Sequence, residues 1–335
     1  HTSYGIMTFR ELLERKNNGQ NDIQIITYSP DSYKKSFTNQ FEVWDNGAKE
    51  CLTIKTNSGY CETSSKNHPY LVWRENEIKP SFLNLENIKI GDSIAVSKKM
   101  DIFGAGGIGV NRAKILGYLQ GDGGITNEVG FTTADLPIAE ELKELIESEF
   151  KTVDFLKKKS KFTYTVSRKH KKNNDEFGSR KNEVKEWLKE LGLYGIKSKN
   201  KKVPECILKG NKEEISAFLS RLYACDGNVQ IDSKTIKYHT HPRVSIGYCS
   251  ASEVLVRQVR SLLLKFGIKS VFRKRFVKCA GKEFDKNGEK YLACYLDING
   301  FQDIRIFSEQ IGIFFKQDKL ERGLKLLENC KYSHI

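Results

Sequence analysis

Apolar residues recur along this chain at helical spacing in some stretches and at alternate positions in others. Ile138, Leu142, Leu145 and Ile146 form one helical stripe, and Leu255, Val259, Leu262, Leu263 and Phe266 form a second. The second is opened by a Ser250 to Glu253 capping box and closed by Gly267. Val184, Trp187, Leu188 and Leu191 before Gly192, and Ile304, Phe307 and Ile311 before Gly312, predict two more helices. Strands lie between them. Phe162, Tyr164 and Val166 face one way with Thr163, Thr165 and Ser167 opposite, while Leu292, Cys294, Leu296 and Ile298 make a buried set.

Two segments stand at the head of this alternation, IleLeuGlyTyrLeuGlnGlyAspGly at 115–123 and LeuSerArgLeuTyrAlaCysAspGly at 219–227. Each reads as an apolar helix whose last turn delivers a carboxylate, Asp122 or Asp226. A glycine stops each helix, Gly123 or Gly227, the residue that most easily takes the left-handed conformation. A helix C-terminus already carries partial negative charge and free carbonyls. A carboxylate there is disfavoured by several tenths of a kcal/mol, roughly, unless a cation sits on it. Gly117 with Gly121, and Ser220 with Ala224, put small residues on one face of each helix, so the two backbones can approach and bring both acids together. The downstream pattern repeats as well, and the acids lie 226 − 122 = 104 residues apart, the length of one αββαββα unit.

These motifs resemble the LAGLIDADG homing endonucleases in their single-chain, two-repeat form, over about 105–325. The resemblance implies an α+β fold of pseudo-twofold αββαββα repeats, repeat one about 105–205 and repeat two about 206–325, within a domain of 101–335. It implies a monomer with motif helices at the pseudo-twofold axis, a divalent cation such as Mg²⁺ on the terminal acids, and two sheets saddling a long double-stranded DNA target. By position the metal ligands and catalytic acids are Asp122 and Asp226, with the carbonyls of Gly121 and Cys225 as neighbouring ligands. The family's basic residue near the metal falls on Lys202 in the first half, with Lys201 close behind, and on Lys316 in the second. Arg221 and Cys225 replace small residues usual at their places.

Charge distribution points the same way. Formal net charge is 56 − 42 = +14, yet residues 1–100 hold 13 Lys or Arg against 12 Asp or Glu. The stretch 151–202 alone has 17 basic and 6 acidic residues. Lys157, Lys158, Lys159 and Lys161, then Arg168, Lys169 and Lys171, flank a strand whose polar face is free to meet phosphates. Arg273, Lys274 and Arg275 are their counterparts in the second half. His170 reads as part of this surface; His239 and His241 are unassigned.

Residues 1–100 read differently, as short strands with sharp turns: 23–27, Phe41–Trp44 turning at AspAsnGly, 52–56 turning at AsnSerGlyTyr, and Tyr70–Trp73. This predicts a compact all-β module. Its order resembles the Hint fold of inteins, most specifically in SerGlyTyrCysGluThrSerSerLysAsnHisProTyrLeuVal at 58–72. That segment is similar to the motif in which a Ser or Thr three residues before a His polarises the upstream splice junction, here Ser65 and His68 with Thr63 nearby. An intein begins on Cys or Ser and ends on His-Asn. This chain begins at His1 and ends on LysTyrSerHisIle, so it is expected not to splice as written.

Hydrophobic residues make up 39% of 335, with no long apolar run, which leaves room for two cored domains and argues against a membrane span. No signal peptide is visible, and a cytoplasmic protein is expected. The 8 cysteines form no C-x-x-C pair and read as reduced, buried thiols. Three functions fit: a Mg²⁺-dependent site-specific DNA endonuclease within an intein, a scaffold of the same fold that holds DNA without cutting, and an element whose main activity is autoprocessing.

Overall fold

The computed structural model describes residues 1–29, 32, 34–75, 77–169, 181–232, 242–278 and 290–329. His170, Lys171, His239, His241, Cys279 and Cys330 lie outside them. The N-terminal part is not all-β. It opens with helix α1 (Phe9–Asn17), whose first turn is capped by the Thr8 hydroxyl accepting from the Glu11 amide at 3.1 Å and whose Leu12 is buried. Strands β1 (Ile25–Tyr28) and β2 (Lys35–Thr38) form one hairpin, and β3 (Cys51–Lys55) and β4 (Cys61–Ser65) another. β5 (Pro69–Trp73) pairs with β6 (Ser81–Asn84) and β7 (Ser93–Ile94). The stretch expected as a strand at Phe41–Trp44 pairs with nothing among the described residues, and Trp44 is 63% exposed.

Two units of the same element order follow. The first is α2 (Val110–Gly121), β8 (Gly123–Gly124), β9 (Gly130–Thr132), α3 (Leu136–Glu149), β10 (Val153–Lys157), β11 (Thr163–Arg168) and α4 (Glu183–Glu190). After the short α5 (Glu205–Leu208) comes the second: α6 (Lys212–Asp226), β12 (Gly227–Asp232), β13 (Arg243–Ser250), α7 (Glu253–Lys265), β14 (Val271–Lys278), β15 (Lys290–Ile298) and α8 (Phe301–Gln310), with α9 (Gln317–Asn329) beyond. Each unit builds a four-stranded antiparallel sheet. The orders, β8-β9-β11-β10 and β12-β13-β15-β14, are the same by position. The expected helical stripes on α3, α4, α7 and α8 are buried, apart from Leu191, which is partly buried against one continuous core that runs through both units.

Helices α2 and α6 lie side by side at the centre of that core. A Cβ added at Gly117 would stand 2.5 Å from the Phe218 carbonyl and 2.9 Å from the Arg221 Cβ; one at Gly121 would stand 2.5 Å from the Cys225 Cβ. The α6 positions that meet the glycines are therefore Phe218, Arg221 and Cys225 rather than Ser220 and Ala224, which are buried one helical step away. Small residues on one helix suffice for close approach; the partner then carries larger side chains.

Other expectations are corrected locally. Gly123 and Gly227 do not take the left-handed conformation: Gly227 has φ −94° and ψ 153° and enters β12 directly. Glycine is needed for space, since a Cβ would stand 2.3 Å from the Leu119 carbonyl at Gly123 and 2.5 Å from the Tyr223 carbonyl at Gly227. The α7 cap is Ser252, accepting from the Leu255 amide at 3.2 Å, because Ser250 still belongs to β13. Phe162 and Leu292 are exposed where their strands run past the helices that cover Tyr164, Val166, Cys294 and Leu296. Of the described cysteines only Cys294 is buried; Cys51 and Cys61 are exposed on the β3–β4 hairpin.

The N-terminal part leans on the second unit. The turn between β3 and β4 delivers the Ser58 carbonyl to the Phe272 amide at 3.1 Å and to the Arg260 guanidinium at 3.0 Å, with Arg260 stacked 3.6 Å over Tyr60. Glu214 on α6 accepts from the amides of Gly107 and Gly109 at 2.9 and 2.8 Å and so anchors the glycine-rich lead into α2.

Candidate functional site

Asp122 caps α2 and Asp226 is the last residue of α6, so the side-by-side packing brings both carboxylates to one end of the helix pair. Asp226 Oδ2 lies 3.7 Å from where a Gly121 Cβ would be. Burial raises both carboxyls above the usual carboxylate range. For Asp226 the charge of Asp122 adds to burial, and the group is pushed up to about 7. The Cys225 thiol, beside the Asp122 carboxylate, donates to the Tyr118 carbonyl at 3.9 Å, and burial raises that thiol well above its ordinary value.

Two lysines answer this concentration of negative charge. Lys201 is only 6% exposed, and its Nζ donates to the carbonyls of Gln120, Gly121 and Gly123 at 2.9, 2.8 and 3.2 Å. Burial lowers its pKa while Asp226 and Asp122 oppose that shift. Lys316 Nζ donates to the carbonyls of Ala224 and Gly227 at 2.7 and 3.0 Å. Each ammonium thus holds the carbonyl end of one acid-bearing helix, where the helix dipole favours a cation. Lys202, expected as the first of this pair, is exposed. The segment is extended, so side chains alternate: Lys201 and Val203 turn inward and Lys202 outward. The Gly121 carbonyl, expected as a metal ligand, already accepts from Lys201.

A half-buried cluster beside the helix pair escaped the sequence reading. Glu141 on α3 accepts from Arg221 Nε at 3.0 Å and from the hydroxyl of Tyr118, joining one unit to the other. Arg221 stood out as an irregular motif residue, but nothing local indicates Glu141, 80 residues away.

Asp122 and Asp226 fit a hard divalent cation by donor chemistry: two neighbouring carboxyl groups at two helix C-termini, all oxygen apart from the adjacent thiol. No cluster of three or more His, Cys, Asp or Glu suited to a metal occurs among the described residues.

The basic residues spread over both units. Lys157, Lys159, Lys161, Arg168 and Lys169 are exposed around the β10–β11 hairpin, and Lys158 pairs with Glu128. Lys171 lies outside the described residues. On β14, Arg273 pairs with Asp297 at 3.0 Å and Arg275 stands 5.6 Å over Tyr295, on one face. Lys274 departs from that set. The two-residue period of the strand turns it toward α7, where it pairs with Glu253 at 2.6 Å. Ser65 ends β4 and its carbonyl accepts from the His68 amide at 3.0 Å; the His68 ring is exposed, edge-on to Tyr70.

Residues 213–312 match the family model described as a LAGLIDADG-like domain. The matched stretch runs from α6 to α8 and includes Arg221, Cys225 and Asp226; Asp122 lies in the preceding unit of the same strand order, Lys201 follows that unit, and Lys316 lies 316 − 312 = 4 residues beyond the matched range. Outside families, the replication factor C small subunit of Methanocaldococcus jannaschii is 25% identical over 95% of this chain and 16% of that protein. The replicative DNA helicase DnaB of Synechocystis sp. is 23% identical over 91% of this chain and 32% of that protein. The ribonucleoside-diphosphate reductase NrdEB subunit alpha of Bacillus subtilis is 29% identical over 65% and 20%. The chain therefore spans 16% to 32% of the length of these relatives. Among solved structures, mesophilic variants of the homing endonuclease I-DmoI share 17% identity at a TM-score of 0.39, over 64% of this chain and 97% of that one. Full-length DUF199/WhiA from Thermatoga maritima shares 14% at 0.37, over 74% and 65%. No helix among the described residues is long and apolar enough to cross a membrane.

Proposed function

We propose that residues 101–335 form a site-specific DNA endonuclease that hydrolyses phosphodiesters with a divalent cation, and that the chain is an inserted, intein-type element of a longer protein. The observation that carries the first part is the convergence of Asp122 and Asp226 at two lysine-held helix ends. A divalent cation such as Mg²⁺ would supply Lewis acidity and an activated water there. The carboxylates hold it, once both have lost their protons. The ammoniums of Lys201 and Lys316 keep the carbonyl-rich helix ends from repelling a phosphate and stand ready to offset charge that grows on it. The exposed basic residues of both units position the duplex backbone.

What supports an insertion is the pattern of relatives. Their names denote three different activities, while the shared stretch is a minor part of each. A segment shared by proteins named for three different activities points to an activity of its own. In this reading residues 1–100 belong to a splicing module with Ser65 and His68 as its motif.

The test uses a duplex selected from a randomised library by the chain in Ca²⁺. Asp122→Asn and Asp226→Asn should bind it within a few-fold of wild type, yet lose nicking in Mg²⁺ by orders of magnitude, because one charge leaves the metal site. Full cleavage by either variant removes that residue from the chemistry. Tight selection by wild type without cleavage makes the fold a DNA-holding module.

A further inference from the structure

Phe315 is the non-glycine residue with a left-handed backbone among those described, at φ +65°. That region is unfavourable for a bulky side chain. Three residues earlier the chain takes nearly the same angle, +67°, with Gly312. Packing does not repay the strain at Phe315, since the residue is 54% exposed. Its neighbours behave otherwise. Phe314 packs against the core, 4.7 Å beneath the Arg221 guanidinium, and Lys316 turns inward to the carbonyls of Ala224 and Gly227. The left-handed turn therefore sends Phe314 and Lys316 into the protein and the Phe315 ring out of it.

The place where the ring emerges has a function in the reading above. Lys316 Nζ reaches the carbonyls of Ala224 and Gly227 at the helix end that bears Asp226, and Phe315 is its chain neighbour, so the ring emerges one residue and one lysine side chain from that end. Base pairs rise ~3.4 Å each, so the ring is a few base steps from any phosphodiester at the acids. The first unit has no counterpart. There Lys201 follows Asn200 in a short 3-10 turn, Ser198–Asn200.

We propose that Phe315 is a DNA wedge: its ring stacks into an opened base step beside Asp226, in one half of the target only. This rests on the DNA-cleaving reading of the same site. Apolar side chains inserted between base steps are a known means of deforming a duplex, and strain held in the free protein is offset when the ring gains its stacking partner.

The experiment uses the full chain and a duplex selected by wild type in Ca²⁺, with 2-aminopurine placed at successive steps. Wild type should raise fluorescence at a step on one side of the centre. Phe315→Ala and Phe315→Gly should abolish that rise and weaken binding about 5- to 100-fold, while Phe315→Trp retains both. The thermal midpoint of Phe315→Gly should equal or exceed that of wild type, because glycine relieves the backbone. Unchanged fluorescence and affinity in the Ala and Gly variants would overturn the inference alone, as would a thermal midpoint of Phe315→Gly that falls in step with binding. Failure of wild type to select any duplex would overturn the nucleic-acid reading and this inference with it.

Discussion

At Asp226, burial and then the charge of Asp122 hold the carboxyl near 7 instead of its ordinary 3.8. An acid raised in this way binds more protons folded than unfolded, so metal-free stability falls as pH rises from about 4 toward about 7 and is flat above. Proton and cation compete for the same carboxylates. Cleavage at limiting Mg²⁺ should therefore increase with pH through about 7 and then level; Asp122→Asn should move the midpoint of Mg²⁺ affinity, read by calorimetry, to lower pH. The adjacent lysines give a sharper contrast. Lys201→Met leaves the carbonyls of Gln120, Gly121 and Gly123 without their donor and should cost about 1–3 kcal/mol in denaturant unfolding as well as cleavage, whereas Lys202→Met should stay within ~0.5 kcal/mol of wild type. Equal effects of the two would refute the inward assignment of Lys201.

At the level of elements, the contact between α2 and α6 sets the distance between the acids. Gly121→Ala drives a methyl to 2.5 Å from the Cys225 Cβ, between the ends of two helices that cannot separate without opening the core. It should destabilise by about 1–3 kcal/mol and reduce cleavage with it. Adding Cys225→Gly removes the opposing Cβ and should restore half or more of the loss despite ~1 kcal/mol for glycine in a helix. Additive losses in that double-mutant cycle would show that the two residues do not meet. Much of this level was readable beforehand: the stripes of α3, α4, α7 and α8 follow from a local 3.6-residue period. The face of α6 that meets α2 was not, because Ser220 and Ala224 share a face as legitimately as Arg221 and Cys225. Only the facing helix chooses between them.

Across the whole molecule, charge and core are unevenly shared. Residues 101–335 carry nearly all of the +14 and the continuous core, whereas among the described residues of 1–100 the buried hydrophobics are Leu12, Ile23, Val72 and Leu85. A fragment of 101–335 should unfold cooperatively and keep most DNA affinity, with a slope of log K against log salt near −10 if about ten phosphates are neutralised. A fragment of 1–100 should show no cooperative transition by circular dichroism. Binding by 1–100 alone, with none by 101–335, would reverse the domain assignment.

The sequence by itself determined what is local or repeated. The two acid-ended motifs, their 104-residue offset, the order of helices and strands in each unit and the basic excess after residue 100 are written in composition and periodicity, and the observed sheets have the order that such a repeat requires. The tertiary structure decided matters that need a partner far along the chain. Lys201 became the inward lysine because Ser252 and Gln258 of α7 hold the Lys201 carbonyl and the Val203 amide, at 2.5 and 2.8 Å. Gly123 and Gly227 proved necessary for clearance over the preceding helical turn rather than for a left-handed turn. The Arg221–Glu141 pair, the docking of the β3–β4 turn on Arg260 and the outward ring of Phe315 have no local signal. Each is set by the packing of segments that periodicity describes one at a time, and pairing energies between such segments depend on distance in space, which sequence spacing does not contain.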